Sequence, residues 1–125
     1  MSDIRPEKIL VVDDAQFMRY TIKKTLAKFG FNNILEAENV ENAVKIYTAE
    51  KPDLVTMDIT MPGESGIEGL KQIKQINPQA RVIMVSAASQ KDKVIEALTL
   101  GAKHFIVKPF TDDNLIGTID KVLKM

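Results

Sequence analysis

Three carboxylates, one hydroxyl and one ammonium stand at the ends of short apolar segments of this sequence, and together they could do chemistry. The residues are Asp13, Asp14, Asp58, Ser86 and Lys108. Two ionised carboxylates about 4 Å apart repel each other by about 4 kcal/mol at an effective dielectric constant near 20. If the fold brings these acids together, either one acid is protonated with a raised pKa or a cation lies among them.

The donor set favours a hard cation and a phosphoryl group. Carboxylate oxygens without a neighbouring histidine or cysteine suit Mg²⁺, which typically takes one or two carboxylates, several waters and a phosphate oxygen. A lysine and a serine beside it would help to stabilise a phosphoryl group during transfer. We select Asp58 as the nucleophile because it ends a central strand, whereas Asp13 and Asp14 can hold the metal. The predicted product is an acyl phosphate on Asp58.

The apolar segments that must position these residues alternate with helical patterns. Short β-branched runs predict strands at 9–12, 33–37, 53–58, 81–86 and 105–107. Such alternation calls for parallel pairing, because each strand-helix-strand crossover is right-handed and lays a helix on the sheet. We therefore predict a three-layer α/β sandwich. In this class, sites lie beyond the carboxyl ends of the strands, where the polar residues above stand.

The helical patterns also predict caps and buried faces. Predicted N-caps are Asn39, Ser65, Ser89 and Thr111, and Gly30 and Gly101 are predicted to end helices. The fourth helix is expected to bury Ile95 and Leu98. Two residues also have a purely structural interpretation: Asp14 could cap the first helix, and Phe105 could be a partly buried packing residue. His104, the only histidine, is predicted to lie at the edge of the sheet.

Composition restricts the classes of protein. The chain has 125 residues, 17 Lys and Arg against 17 Asp and Glu, and no cysteine. This length fits one domain, and zero net charge argues against nucleic-acid binding. The absence of cysteine excludes a disulfide framework and a thiolate metal site. Residues 1–8 lack the apolar core of a signal peptide, and no stretch approaches the roughly 18 apolar residues of a membrane span, so we expect a cytoplasmic protein.

Four motifs in register resemble the receiver domain of the two-component response-regulator family. They are Val11-Val-Asp-Asp14, Met57-Asp-Ile-Thr-Met-Pro-Gly63, Ser86-Ala-Ala88 and Lys108-Pro-Phe110. The resemblance spans residues 1–125 as a single receiver domain. It implies a flavodoxin-like (βα)5 sandwich whose five-stranded parallel sheet has the order 2-1-3-4-5. Within the family, the chain is most similar to stand-alone chemotaxis regulators of the CheY type.

The resemblance implies a role for each site residue. Asp58 would take a phosphoryl group from a phosphohistidine on a kinase, with Mg²⁺ required. Asp14, Asp58 and the backbone carbonyl of Thr60 would be direct metal ligands, and Asp13 would act mostly through a metal-bound water. Lys108 would pair with the phosphate and the acceptor, and the peptide bond to Pro109 would be cis.

The resemblance also implies a switch. The Ser86 hydroxyl would move toward a phosphoryl oxygen, and the ring of Phe105 would change its setting as the hydroxyl moves.

The implied partners are proteins. They are a sensor histidine kinase of the CheA-like type and a downstream target such as a flagellar motor switch protein. The target would bind the face formed by the fourth helix, fifth strand and fifth helix. The chain would be a monomer that catalyses only its own phosphorylation and dephosphorylation.

Other classes of protein would place different residues at these positions or use the same domain differently. A phosphorelay shuttle, or a receiver domain excised from a larger transcriptional regulator, is the alternative within the family. A haloacid-dehalogenase-type phosphotransferase would need an acid at position 60, which is Thr60. A flavodoxin-like cofactor binder would need a phosphate loop where Asp13 and Asp14 stand.

Overall fold

Five parallel strands alternate with five helices in the computed structural model, which describes residues 4–125. The first three residues belong to the segment predicted to lack a signal peptide and lie outside the described part. The elements are β1 (Arg5–Val12), α1 (Gln16–Lys28), β2 (Phe31–Ala37), α2 (Val40–Glu50), β3 (Leu54–Asp58), α3 (Gly66–Ile76), β4 (Val82–Ala87), α4 (Lys91–Thr99), β5 (His104–Lys108) and α5 (Asp112–Leu123). The sheet order is β2-β1-β3-β4-β5, which confirms the predicted fold.

The continuous apolar strands arise because both faces of the sheet are covered. In β1, Leu10 and Val12 pack into a cluster with α2, α3 and α4. The alternate residues Ile9 and Val11 pack into a second cluster with α1 and α5. Because successive side chains of a strand point to opposite faces, an all-apolar run is what a doubly covered parallel strand requires. Met57 and Met84, buried in the first cluster, are core residues as expected.

Three strands, β1, β2 and β5, begin earlier than the apolar runs indicate. β1 starts at Arg5, which lies opposite Phe31 of β2, and the Arg5 N–H donates to the Gly30 carbonyl at 2.9 Å. Residues 5–8 are only partly buried or exposed, and they are a proline and three charged residues, which show no hydrophobic pattern. The paired backbone, rather than burial, therefore defines the beginning of β1, whereas β2 begins at the buried Phe31.

Most helix boundaries follow the predicted signals. Asn39, Ser65 and Thr111 each accept a hydrogen bond from the backbone N–H three residues later, at 2.8, 3.5 and 3.1 Å. Gly30 and Gly101 have φ angles of +98° and +106°, the left-handed conformation that ends a helix. The Lys108–Pro109 bond is cis, as the resemblance implied. His104 lies on β5, an edge strand, as predicted.

The prediction for α4 was wrong in two respects. Residues 88–89 form a turn closed by the Gln90 N–H on the Ala87 carbonyl at 3.1 Å, so Gln90 rather than Ser89 holds the cap position. The buried residues of α4 are Val94 and Ala97. Ile95 and Leu98, predicted to be buried, are 54% and 39% exposed. The helix is therefore turned by about one residue, or 100°, from the predicted orientation.

None of the helices within residues 4–125 has the length and apolar character needed to cross a bilayer.

Candidate functional site at the carboxyl edge of the sheet

The three predicted acids meet where β1 and β3 end. Val12 of β1 lies opposite Met57 of β3, so the residues that follow them, Asp13 and Asp58, are neighbours. Each of Asp13, Asp14 and Asp58 offers a carboxylate oxygen, and these oxygens all lie within 4.8 Å of one another. Asp13 is 2% exposed and Asp58 is 7% exposed, whereas Asp14 faces solvent. The sheet topology thus assembles the acidic cluster that the sequence predicted.

Backbone contacts fix the position of Asp13. Its N–H continues the ladder by donating to the Ala37 carbonyl at 3.1 Å, and its Oδ1 accepts from the Ala15 N–H at 2.9 Å. The Arg19 Nη1 donates to the Asp13 carbonyl at 2.7 Å, while its Nε pairs with Glu36 at 3.2 Å. One carboxylate oxygen of Asp13 is therefore used in local structure, and the other, Oδ2, is directed to the site.

Asp14 has no capping role. Ala15 occupies the N-cap position of α1, and no side chain in the described part of the chain caps that helix. The alternative interpretation of Asp14 as the helix cap is therefore wrong.

Lys108 brings the one ammonium group into the cluster from the end of β5. Its Nζ lies 3.1 Å from Asp13 Oδ2 and 3.4 Å from Asp58 Oδ2. One positive charge against three carboxylates leaves two formal negative charges without a partner when all the acids are ionised. A cation among these carboxylates would remove that excess, which is the physical condition for a divalent metal site.

The environment of Asp58 disfavours its charge. Burial is the largest cause that raises the pKa of Asp58 above its ordinary value of 3.8, and the charge of Asp13 acts in the same direction. Lys108 opposes them by charge attraction and a hydrogen bond, and Asp14 adds a smaller upward effect on this pKa. A carboxyl group whose pKa is raised by burial and by a neighbouring acid within a cluster of charges is a candidate functional residue.

Ser86 brings a buried hydroxyl to the same edge. Asp58 lies opposite Val85, so Ser86 is one residue further along β4, and it lies opposite Val107, next to Lys108. Ser86 is 1% exposed, and its Oγ has no hydrogen-bond partner within residues 4–125. A buried polar group without a partner lowers the free energy of unfolding by about 1–3 kcal/mol. Binding of this hydroxyl to an added acceptor would therefore be favourable.

Thr60 lies in the exposed loop that follows Asp58. Its hydroxyl accepts a hydrogen bond from Nε2 of Gln90, and Oε1 of the same side chain accepts from the Ala87 N–H at 2.7 Å. Sequence reasoning did not identify Gln90, because a glutamine three residues beyond a strand end has no motif of its own. The role of the Thr60 carbonyl as a metal ligand stays a prediction.

Phe105 and Ser86 line the same cavity. The ring is partly buried against the cluster that contains α4, and it borders a cavity of about 350 Å³. Ser86, Ile95 and Leu98 line the same cavity. The two side chains therefore border the same space, and the switching role of Phe105 stays a prediction.

The sheet order and the edge cluster define a receiver domain of the response-regulator class. The family model described as the response regulator receiver domain matches residues 9–120, and the chain belongs to this family. Receiver domains bind Mg²⁺ at a cluster of acidic residues, and Asp13, Asp14 and Asp58 form that cluster here.

Individual relatives give a narrower similarity. The chain is 56% identical over 116 residues to the chemotaxis protein CheY of Bacillus subtilis, which covers 93% of this chain and 97% of that protein. It is 47% identical to the chemotaxis protein CheY of Thermotoga maritima, over 94% of this chain and 98% of that one. Among solved structures, the receiver domain of NtrX from Brucella abortus matches with a TM-score of 0.90 and 31% identity, covering 94% of this chain and 99% of that chain. The chain is thus a receiver domain closely similar over nearly its whole length to chemotaxis regulators.

Proposed function

We propose that this protein is a response regulator of chemotaxis that accepts a phosphoryl group on Asp58. The observation that carries the proposal is the convergence of the Asp58 carboxylate with two further acids, the Lys108 ammonium and the unpartnered Ser86 hydroxyl. Similarity to CheY proteins from several bacteria supports the chemotaxis assignment.

The residues fit an Mg²⁺ ion. Their fit rests on three oxygen donors within 4.8 Å of one another, two of them nearly buried, and on an excess of negative charge that Lys108 alone does not offset. Asp14, Asp58 and the Thr60 carbonyl would hold the metal, with Asp13 acting through a bound water. When bound, Mg²⁺ neutralises charge that develops on the phosphoryl oxygens.

The chain's own residues perform the transfer. A carboxylate oxygen of Asp58 attacks the phosphorus of a phosphohistidine, so that a P–O bond forms as the P–N bond breaks and the electron pair returns to the imidazole nitrogen. Lys108 lies 3.4 Å from this carboxylate, favours its ionised form and attracts the incoming oxygens. Ser86 can donate its free hydroxyl to one of them. The protein would catalyse only its own phosphorylation and dephosphorylation.

Phosphorylation would then shift a conformational equilibrium. The phosphoryl group adds charge and three acceptor oxygens, and only contacts that differ between two states can move the balance between them. Ser86 and Phe105 border one cavity, so recruitment of the hydroxyl changes the space available to the ring. The face of α4, β5 and α5 would carry the signal to a protein target.

The proposed partners follow from the relatives and from this face. The phosphodonor would be a CheA-like histidine kinase, and the target a flagellar motor switch protein, in the cytoplasm. Lysines on the helices of this face would suit an acidic segment, namely Lys91 and Lys93 on α4 and Lys121 on α5.

The phosphoacceptor assignment is tested with acetyl phosphate and Mg²⁺, followed by intact mass spectrometry. We expect one acid-stable, base-labile phosphoryl group on the wild-type chain and none on Asp58→Asn. Asp113→Asn, which changes an exposed acid in the first turn of α5, should be phosphorylated like the wild type. Modification that persists in Asp58→Asn, or a wild-type chain that stays unmodified, would contradict the proposal.

The chemotaxis assignment has a separate test. Fluorescence anisotropy with a purified flagellar motor switch protein should show tighter binding when acetyl phosphate and Mg²⁺ are present. Asp58→Asn should show no such gain. Equal affinity with and without phosphorylation would argue for the phosphorelay alternative.

A further inference from the structure

The side chain of Gln90 connects the two loops that flank the acceptor site. Its Oε1 accepts a hydrogen bond from the Ala87 N–H at 2.7 Å, and its Nε2 donates to the hydroxyl of Thr60. Ala87 ends β4 and Thr60 follows β3 by two residues, so a single carboxamide holds together the ends of two neighbouring strands. The two contacts fix both the oxygen and the nitrogen of the carboxamide.

The position of this contact relative to the site is informative. Ala87 directly follows Ser86, whose hydroxyl is buried and has no partner within the described residues. Thr60 lies two residues after Asp58. The end of β4 therefore offers two adjacent donors, a hydroxyl without an acceptor and a backbone N–H whose acceptor is a replaceable side-chain oxygen. A phosphoryl group on Asp58 would bring three further acceptor oxygens to this place.

We propose that Gln90 is a latch that stabilises the unphosphorylated arrangement of the site. In that state, Gln90 Oε1 satisfies the Ala87 N–H and Nε2 holds the loop after Asp58. A phosphoryl oxygen that approaches Ser86 competes with Gln90 for the Ala87 N–H, and the carboxamide is released. This inference rests on the proposed phosphorylation of Asp58, and it adds a residue that opposes the switch.

The expected effect follows from linkage. A contact that is made only in the resting state favours that state by its own free energy, and its removal shifts the balance the other way. The latch consists of two neutral hydrogen bonds at a partly exposed position. Because water replaces part of both contacts once the carboxamide is gone, removing them should raise the rate of phosphorylation by acetyl phosphate roughly threefold to tenfold, the range that a single net hydrogen bond commonly gives.

The rate test uses Gln90→Ala and Gln90→Met. Methionine keeps the unbranched stem but cannot replace the two amide hydrogen bonds, so both variants should be phosphorylated faster than the wild type in the presence of Mg²⁺. Gln75→Ala removes an exposed glutamine of α3 and should leave the rate unchanged. If Gln90→Met behaves as the wild type while Gln90→Ala is faster, packing rather than the hydrogen bonds is responsible and the latch is refuted.

A direct observation uses the full ¹⁵N-labelled chain in NMR, with the Gln90 side-chain NH₂ pair assigned by its absence in Gln90→Met. On phosphorylation, this pair should move toward the position of free glutamine side chains, and the Ala87 amide should shift. Intact mass of the same sample reports whether the phosphoryl group has been added. Unchanged Gln90 signals in a phosphorylated sample would overturn the latch and leave the proposed function intact. A sample that gains no phosphoryl group would overturn both.

Discussion

The charge balance of the acidic cluster predicts that Asp14→Asn stabilises the metal-free protein. Asp14 is exposed, and its side chain has no hydrogen bond or ion pair among the residues that the structure describes. The substitution therefore loses no visible contact and removes one of three mutually repelling charges. The amide is nearly isosteric with the carboxylate, so packing stays the same.

The size of the effect can be worked from the oxygen separations. At the 4.8 Å limit within which the cluster lies, two unit charges repel by about 0.9 kcal/mol in bulk water and by about 3.5 kcal/mol at an effective dielectric constant of 20. Solvent screening keeps an exposed group near the lower value. Asp14 repels both Asp13 and Asp58, and the Lys108 ammonium, which pairs with those two acids, offsets part of this repulsion. We expect a net gain of about 1 kcal/mol, or a rise in Tm of about 3–5 °C for a chain of this size.

Thermal unfolding followed by circular dichroism, in chelator and in Mg²⁺, measures this effect. In chelator, Asp14→Asn should unfold at a higher temperature than the wild type. Added Mg²⁺ should raise the Tm of the wild type, because a ligand at 100 times its Kd stabilises the folded state by about 2.7 kcal/mol. The variant, which lacks one metal ligand, should gain much less.

A matched control is Glu38→Gln, which neutralises an exposed acid that follows β2 and lies outside the cluster. It should change neither the Tm in chelator nor the response to Mg²⁺. The reasoning is refuted if Asp14→Asn is less stable than the wild type in chelator, or if Mg²⁺ stabilises both chains equally.

Two further predictions concern Asp58 and the glycine that packs on it. Because the folded-state pKa of Asp58 is raised above 3.8 by burial and by Asp13, the folded state binds more protons than the unfolded state between those two pKa values. The stability of the metal-free wild type should therefore fall as pH rises through that window, and Asp58→Asn should lack this fall; parallel curves in urea titrations across pH would contradict the assignment. A Cβ at Gly66 would lie 2.0 Å from the Asp58 carbonyl oxygen, whereas one at Gly117 meets nothing within 4 Å. Gly66→Ala should lower the free energy of unfolding by more than about 2 kcal/mol and slow phosphorylation, and Gly117→Ala should raise it by up to about 1 kcal/mol; equal urea midpoints would refute the contrast.

The fold could be predicted because its strands are buried on both faces. Runs such as residues 9–12 contain no polar position, which in a chain of this length is typical of parallel strands covered by helices. The same topology brings the carboxyl ends of the strands to one edge, so Asp13, Asp58 and Lys108 meet although they are far apart in sequence. What could not be predicted is the beginning of β1, because residues 5–8 pair through their backbone and show no apolar pattern.

The site was less completely predictable than the fold. Motifs and strand ends identified the charged groups, since their chemistry depends on residue type and on the end of a strand. Gln90 was not predicted because its role depends on where a flexible carboxamide finds partners. One partner, Ala87, is local at the end of β4, but the other, Thr60, is 30 residues away and lies beside Gln90 only in the folded chain. The packing role of Gly66 was not predicted for a related reason: its close approach to the Asp58 carbonyl arises from how α3 packs and not from a local sequence signal.

The orientation of α4 was predicted wrongly because the largest apolar residues of this helix are not its buried ones. The pattern favoured Ile95 and Leu98 as buried residues because they are large and apolar, yet the helix rests on the smaller Val94 and Ala97. Small contact residues let a helix lie close to the sheet, and the larger side chains then become walls of the adjoining cavity rather than filling of the core. The exposed apolar residues Ile95 and Leu98 of α4 thus line an open cavity beside β5.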